Sequence, residues 1–417
     1  MSKKWSPFHT IVAIYFLCWG FSAADRILIA MMFPKVLPSF GLNYAMAGVI
    51  MSVMSIGYLV CAIIGGWVSD KVGRKKVALP MVVIFSLGSA LTGWAKNFAQ
   101  LIGVRTVVGG AEGAFNMAAT AQIAEESPIE KRGFYIGLYT GAFPLFASLV
   151  APLYAGTVGV AYGWRTACYL TIIPGVLLVP AILWLVRDKK GAVRIGLKKE
   201  QSPSWLPVLK SRNVLLSACV SIFIMVWLWS WLSFGTLYMT KVKGYSLSSA
   251  DMHMASMGLG GFLGGMGMSF LSDRIGRKPV VLGVTIIGII GTLAVLNLPP
   301  SASFLTWIIL FITSFITWGG MVIFLSIIPS ESVPAGYIAR GISVVTCSSE
   351  AAGIIVAPPI LGTIADHDGL QIAMTVAALG LIISVIATFF LKESAPKIRT
   401  LGTGEETALA KVVGESS

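Results

Sequence analysis

Gly66-Trp67-Val68-Ser69-Asp70-Lys71-Val72-Gly73-Arg74-Lys75 is echoed later by Ser269-Phe270-Leu271-Ser272-Asp273-Arg274-Ile275-Gly276-Arg277-Lys278. Both follow the pattern G/S-x-x-x-D-K/R-x-G-R-K, and both lie between long apolar runs. Glycine beside clustered charge, flanked by apolar runs, reads as a tight turn between two helices. Working outward, twelve apolar stretches can be marked. Six lie at about 11–33, 45–69, 77–95, 99–124, 133–158 and 165–186, and six at about 214–240, 249–272, 279–297, 302–328, 339–364 and 369–391. Each is long enough to cross a bilayer as a helix. The turns follow the second and eighth stretches. A weaker echo, Glu126-Ser127-Pro128 with Arg132-Gly133 against Glu331-Ser332-Val333-Pro334 with Arg340-Gly341, keeps the same offset. The reading is an all-α membrane protein of twelve transmembrane helices in two six-helix bundles, with any site between them.

Composition agrees. The 417 residues are 56% hydrophobic and only 12% charged, with mean hydropathy +0.83, where a soluble domain carries about 25% charged residues. The net charge of +13 does not indicate nucleic acid, because the basic residues crowd short loops. Of 31 Lys and Arg, 24 fall on one side, five on the other (Lys35, Lys96, Arg165, Lys241, Lys243), and Arg26 and Arg105 within spans. The positive-inside rule then places both termini in the cytoplasm of a cell (inner) membrane protein. The expected organisation is a first bundle over 1–186, a cytoplasmic linker over 187–212, a second bundle over 213–391 and a disordered tail over 392–417. Lys3-Lys4 and Ser22-Ala23-Ala24 imitate a signal peptide, but the apolar run resumes after Arg26, which reads as an uncleaved first helix. The five cysteines fall in apolar runs and read as small buried hydrophobes. No nucleotide-binding loop, metal cluster or nucleophile–base pair is found. The chain is therefore expected not to be an enzyme, to need no cofactor or metal, and to act as a monomer.

Five ionisable residues sit deep in spans: Asp25, Arg26, Arg105, Glu112 and Glu350. Each buried charge costs roughly 2.5–3.5 kcal/mol on insertion scales, so such residues usually mark a substrate or ion pathway. Arg105 and Glu112 are seven positions apart, close to two turns, so they share one helix face about 10 Å apart along the axis and form an intrahelical pair. Asn116 lies on that face too. Adjacent Asp25 and Arg26 diverge by about 100°, which sends Arg26 to the central cavity with Arg105 and Asp25 to a neighbouring helix or a proton path. Elsewhere, Trp227, Trp229 and Trp231 read mostly as lipid contact and packing. Gly258, Gly260, Gly261, Gly264, Gly265 and Gly267 read as close helix packing. His253 reads as peripheral, and Asp366-His367-Asp368 as a solvated loop.

The duplicated turn motif resembles that of the major facilitator superfamily over nearly the whole chain to about residue 391. The resemblance implies that Gly66, Asp70, Arg74, Asp273 and Arg277 belong to gating loops that latch the bundles. Asp-Arg in the first span with Arg-(six residues)-Glu in the fourth resembles the anion:cation symporter branch, and so does Gly137-Leu138-Tyr139-Thr140. By that resemblance Arg26 and Arg105 bind and couple the anion, Asp25 and Glu112 carry protons, and Asn116 and Tyr139 join the substrate site. Phe143 stands where sugar-acid members tend to have an amide, which implies a less hydroxylated substrate. Glu350 stands where a neutral polar residue is expected. It can be a third proton site, an arginine's partner, a contact for a substrate amine or a protonated acid between helices. The function expected is proton-coupled uptake of a small organic anion. Drug or metabolite efflux is the alternative, and a non-transporting sensor a remoter one.

Overall fold

The computed structural model describes residues 7–128, 131–187, 205–334 and 337–395. Among them every regular element is helical: α1 (Pro7–Met31), α2 (Phe33–Phe40), α3 (Tyr44–Val72), α4 (Arg74–Thr92), α5 (Phe98–Glu126), α6 (Arg132–Thr140), α7 (Ala142–Leu145), α8 (Ala151–Tyr154), α9 (Val160–Leu170), α10 (Ile172–Leu185), α11 (Leu206–Leu209), α12 (Arg212–Lys241), α13 (Leu247–Ile275), α14 (Arg277–Asn297), α15 (Ser303–Thr317), α16 (Ile328–Glu331), α17 (Ile338–Glu350), α18 (Ala357–Asp368) and α19 (Leu370–Phe389). Turns of π-helix lie at Phe146–Val150, Ala155–Gly159, Ile323–Ile327 and Ala351–Val356. The central part of the expected linker (188–204) and most of the expected tail (396–417) lie outside the described residues.

Among the described residues nine helical segments are long and apolar enough to cross a membrane, or ten if the bent pair Leu247–Gly265 and Gly267–Ile275 is one span. Two features separate this from the twelve runs read above. Phe134–Leu185 forms one segment of 52 residues. At 1.5 Å per residue that is about 78 Å, over twice the hydrocarbon thickness, and it is broken at Gly163, where φ is +83°. The 29-residue α5 is not among the nine: it carries Arg105 and Glu112 in a stretch of glycine and alanine.

Local sequence sets the helix starts. Asn43 and Asn97 cap α3 and α5, their side-chain oxygens accepting from Met46 N and Gln100 N, and Ser246 caps α13 likewise. Helix α3 then packs along α5. A Cβ on Gly109 would fall 1.9 Å from the Met54 carbonyl, and one on Gly113 2.2 Å from that of Tyr58. This contact brings Tyr58 beside Glu112. The close packing expected of the α13 glycines holds at Gly260, Gly261 and Gly264, which lie against Phe311, Trp318 and Phe315, and at Gly258 against Ser148; Gly265 meets nothing within 4 Å.

The halves meet along α3 with α18, α1 with α12, and α13 with the stretch 146–159. Ser52 Oγ donates to Ile355 O at 2.7 Å. Asp366-His367-Asp368 are exposed as expected but form the last turn of α18 rather than a loop, and the Asp366 carboxylate accepts from Tyr44 N and Ala45 N at 2.8 and 2.9 Å. It therefore caps α3 from the opposite half. These contacts lie on the side of the molecule away from the two repeated turns. Trp227, Trp229 and Trp231 are buried rather than lipid-facing, with Trp227 Nε1 donating to Thr292 at 2.7 Å. His253 is likewise buried, bonded to the Ser249 and Ser303 carbonyls. Cys347 is exposed, unlike the buried Cys18 and Cys168.

Candidate functional site

The four charges of α1 and α5 are brought together, but not in the pairing that their spacing suggested. Arg26 Nη2 lies 2.7 Å from Glu112 Oε2, with its Nε at 3.1 Å from the same oxygen. Arg105 Nη1 lies 2.8 Å from Asp25 Oδ2. Both pairs run between helices and they cross, so the intrahelical Arg105–Glu112 pair does not form. Helical spacing puts two residues on one face without deciding whether a neighbour competes for either. Here α1 offers one partner of each sign, and each long arginine reaches across to it. The four charges sum to zero, which lowers the cost of holding them out of water.

The two pairs have different surroundings. Arg105 is 1% exposed. It also donates to the Met54 sulfur at 2.8 Å and to the backbone carbonyls of Asp25 and Arg26. It locks α1 to α5. Asp25 borders a largely apolar cavity of about 270 Å³ between Phe21, Leu28, Val150, Tyr154 and Pro174. Arg26 instead lies over the face of Tyr58, 4.6 Å from its centroid, a cation–π contact. Glu112 is fully buried, with Oε1 left without a partner.

From Tyr58 a polar chain leads on. Asn116 Nδ2 donates to Tyr58 O–H at 2.5 Å, and Tyr139 O–H donates to Asn116 Oδ1 at 2.8 Å. Trp19 stacks on Tyr139 at 6.2 Å and approaches Tyr58 and Phe143 at 6.3 and 5.8 Å. Asn116 and Tyr139 are thus linked to Arg26 through Tyr58 in one partly buried cluster. Tyr58 and Trp19 were not singled out in the sequence, where aromatics in apolar runs look like packing. The only sequence signal was a Tyr hydroxyl at membrane depth, which needs a partner. Glu350 stands half-buried at the end of α17, where the π turn begins.

The repeated turns are built alike. Gly73 and Gly276 adopt φ of +111° and +103°, a region that favours glycine. Arg74 pairs with Asp70 at 2.5 Å and Glu125 at 2.7 Å, and Arg277 with Asp273 at 2.6 Å and Glu331 at 2.9 Å. Lys75 and Lys278 donate to the last-turn carbonyls of Leu183 and Phe389, a favourable place for a cation. The counterpart of Glu331 is Glu125, one residue before the position that the sequence echo indicates. Gly66 lies inside α3, where a Cβ would meet Met117 at an ordinary 3.8 Å.

Repeated helical halves around a compensated charge cluster are the architecture of a membrane carrier. The chain belongs to the Major Facilitator Superfamily, whose model matches residues 15–358. It is a multi-pass membrane protein of a family of transporters, not enzymes. It is 26% identical to a hexuronate transporter of Bacillus subtilis over about two thirds of each chain, and 26% identical to a benzoate transport protein of Acinetobacter baylyi (69% of this chain, 70% of that one). A 3-(3-hydroxy-phenyl)propionate transporter of Escherichia coli is 25% identical over 87% of this chain and 88% of its own. These relatives accord with an anion:cation symporter type. The fold matches a bacterial homologue of the lysosomal transporter Spinster in an inward-facing conformation, with a TM-score of 0.77, 18% identity and coverage of 93% and 97%. It also matches a D-xylose-proton symporter at 0.74, with 17% identity and coverage of 93% and 99%.

Proposed function

We propose that this protein is a proton-coupled symporter that takes up a small organic carboxylate, acting as a monomer in the inner membrane. It would have twelve spans and cytoplasmic termini. Twelve follow if the bent pair of α13 is one span, α5 is another and Phe134–Leu185 is divided at Gly163. The observation that carries the reading is the Arg26–Glu112 pair set against Tyr58, Asn116 and Tyr139. A guanidinium held by one carboxylate can exchange it for another, and the substrate's carboxylate is the natural replacement. A proton on Glu112 removes the competing charge and frees Arg26. Asp25 keeps Arg105 compensated during the exchange. The ring faces of Trp19, Tyr58, Tyr139 and Phe143 favour a planar, apolar acid over a polyhydroxylated one. The aromatic-acid transporters among the relatives support the same choice. Rocking of one half against the other would then carry the neutralised complex across.

Reconstituted into proteoliposomes, the protein should accumulate benzoate faster than glucuronate when an inward-directed proton gradient is imposed. Glu112→Gln should still exchange labelled substrate across the membrane but lose gradient-driven accumulation. Gradient-driven accumulation by Glu112→Gln equal to that of wild type would refute the coupling role.

A further inference from the structure

Another buried acid lies apart from this site. Asp251, one turn into α13, is 0% exposed and makes no ion pair among the described residues. It sits where α13 meets the π turn Ala155–Gly159, with its Cβ 3.2 Å from where a Cβ on Gly156 would be. Its Oδ1 lies 3.0 Å from Thr236 Oγ1, and Oδ2 has no partner. The same Thr236 oxygen lies 3.0 Å from the Met31 sulfur. Helices α1, α12, α13 and the 146–159 stretch therefore converge on three side chains that water does not reach.

The proton count at Thr236 decides the state of the acid. A hydroxyl has one proton to give, whereas a carboxylate and a thioether only accept. With Asp251 ionised, just one of the two 3.0 Å contacts can be a hydrogen bond, and an unpaired anion would stay buried. With a proton on Asp251, the acid donates to Thr236 and Thr236 donates to Met31, so both contacts are satisfied. No cation pairs with Asp251 among the described residues, and Arg26 of α1 is held by Glu112. Tyr154 is bonded to Ala167 O, Tyr238 to Leu296 O and Gln371, and Lys243 to the Leu296 and Leu298 carbonyls. His253 Nδ1 lies 2.7 Å from Ser249 O and its Nε2 lies between Ser303 O and Ser303 Oγ at 3.0 and 3.3 Å, so neither ring nitrogen is bonded to Asp251, and Lys35 and Lys241 are exposed. In the other elements packed on α13, α7 and α15 contain no ionisable residue, and the basic residues of α14 lie at its opposite end.

We propose that Asp251 is a proton-binding site of the outer gate, filled from the external solution and required for the outer ends of the halves to close. When those ends part, the carboxylate is wetted and releases its proton to the side from which it came. The proton gates the motion without being carried across. The proposal takes its orientation from the transport reading above but does not depend on the substrate or on Glu112.

The test uses spin labels at Lys35→Cys and Lys241→Cys, with the native cysteines replaced, to measure the outer distance between about pH 5 and about pH 9. Side-selective labelling of the same cysteines checks the orientation separately. The outer-open fraction should rise with pH in the parent. Asp251→Asn should open to the same reduced extent at every pH, with its pH response lowered at least about tenfold while turnover persists. Thr236→Val removes the acceptor from the acid and should move the midpoint down by about one pH unit, a tenfold weaker proton affinity. It also serves if the asparagine variant does not fold. The proton-to-substrate ratio should be unchanged in Asp251→Asn. A parent-like pH response in Asp251→Asn, or an unshifted midpoint in Thr236→Val, would overturn the assignment, as would a ratio lowered by one.

Discussion

Helices α1 and α5 of the first half hold four compensated charges at the centre of the protein, whereas α12 and α15, their counterparts in the second half, have none in their interiors. In their place α12 brings buried tryptophans. The turns show the opposite bias. Around Arg74 the side chain is 16% exposed and meets Asp70, Glu125 and Ser69. Around Arg277 it is 7% exposed and meets the equivalent three groups, with the segment 391–395 folded over them. There Glu393 accepts from the backbone N–H groups of Arg277, Lys278, Ser394 and Ala395, and Ser394 donates to Glu331 at 2.6 Å. Repetition has thus kept the hinge chemistry and divided the labour: one half carries the exchangeable charges, and the other supplies a firmer wall.

The largest expected effect comes from breaking the charge pair whose arginine makes the most contacts. Arg105→Ala leaves Asp25 buried without a partner, which should cost about 3–5 kcal/mol, read as thermal unfolding in detergent. Trp227→Phe in the second half should cost less than half as much. If the two costs are equal, the charges of the first half are not what sets it apart. Arg26→Lys keeps the charge but loses the forked, ring-stacking group, so KM for substrate should rise about tenfold with little loss of stability. A stability loss as large as that of Arg105→Ala would show the two pairs to be equivalent. Between the turns, Arg277→Ala should destabilise by about 1 kcal/mol more than Arg74→Ala, because the groups around Arg277 are the more enclosed.

The smallest effect sharpens the contrast by pH. Burial alone would raise the Glu393 carboxyl, but the four backbone N–H groups outweigh it and hold it below the usual carboxylate value. A carboxyl lowered on folding stabilises the protein above its unfolded value of about 4.3, and loses that contribution as pH falls through the lower folded value. Glu393→Gln should therefore cost about 1 kcal/mol at neutral pH, with the difference from wild type shrinking at acid pH. A constant difference across that range would mean that the glutamate acts by shape rather than charge.

The fold was legible because its decisive residues are conspicuous: a doubled D-x-x-G-R-K turn and charges inside apolar runs can hardly mean anything else. The membership of the charge cluster was legible for the same reason. The pairing was not, since Arg105 has equal claim on Glu112 by helical spacing and on Asp25 by proximity across α1. Tyr58 and Trp19 were hidden by their apolar surroundings, and Asp366 by the glycine after it, which made a helix end look like a loop. Asp251 escaped notice because it lies so near the start of its run, where depth cannot be read from a hydropathy boundary.

The π turn that begins after Glu350 acts as a phase control. A π turn accommodates one extra residue, and each residue added to or taken from a helix rotates everything beyond it by about 100°. Removing one residue from Ala351–Val356 would restore α-helical phase and swing Glu350 relative to α18, whose far end ties α3 through Asp366. A lineage could thus change which side chains of α17 look into the cavity by a one-residue deletion, with no substitution in the wall itself.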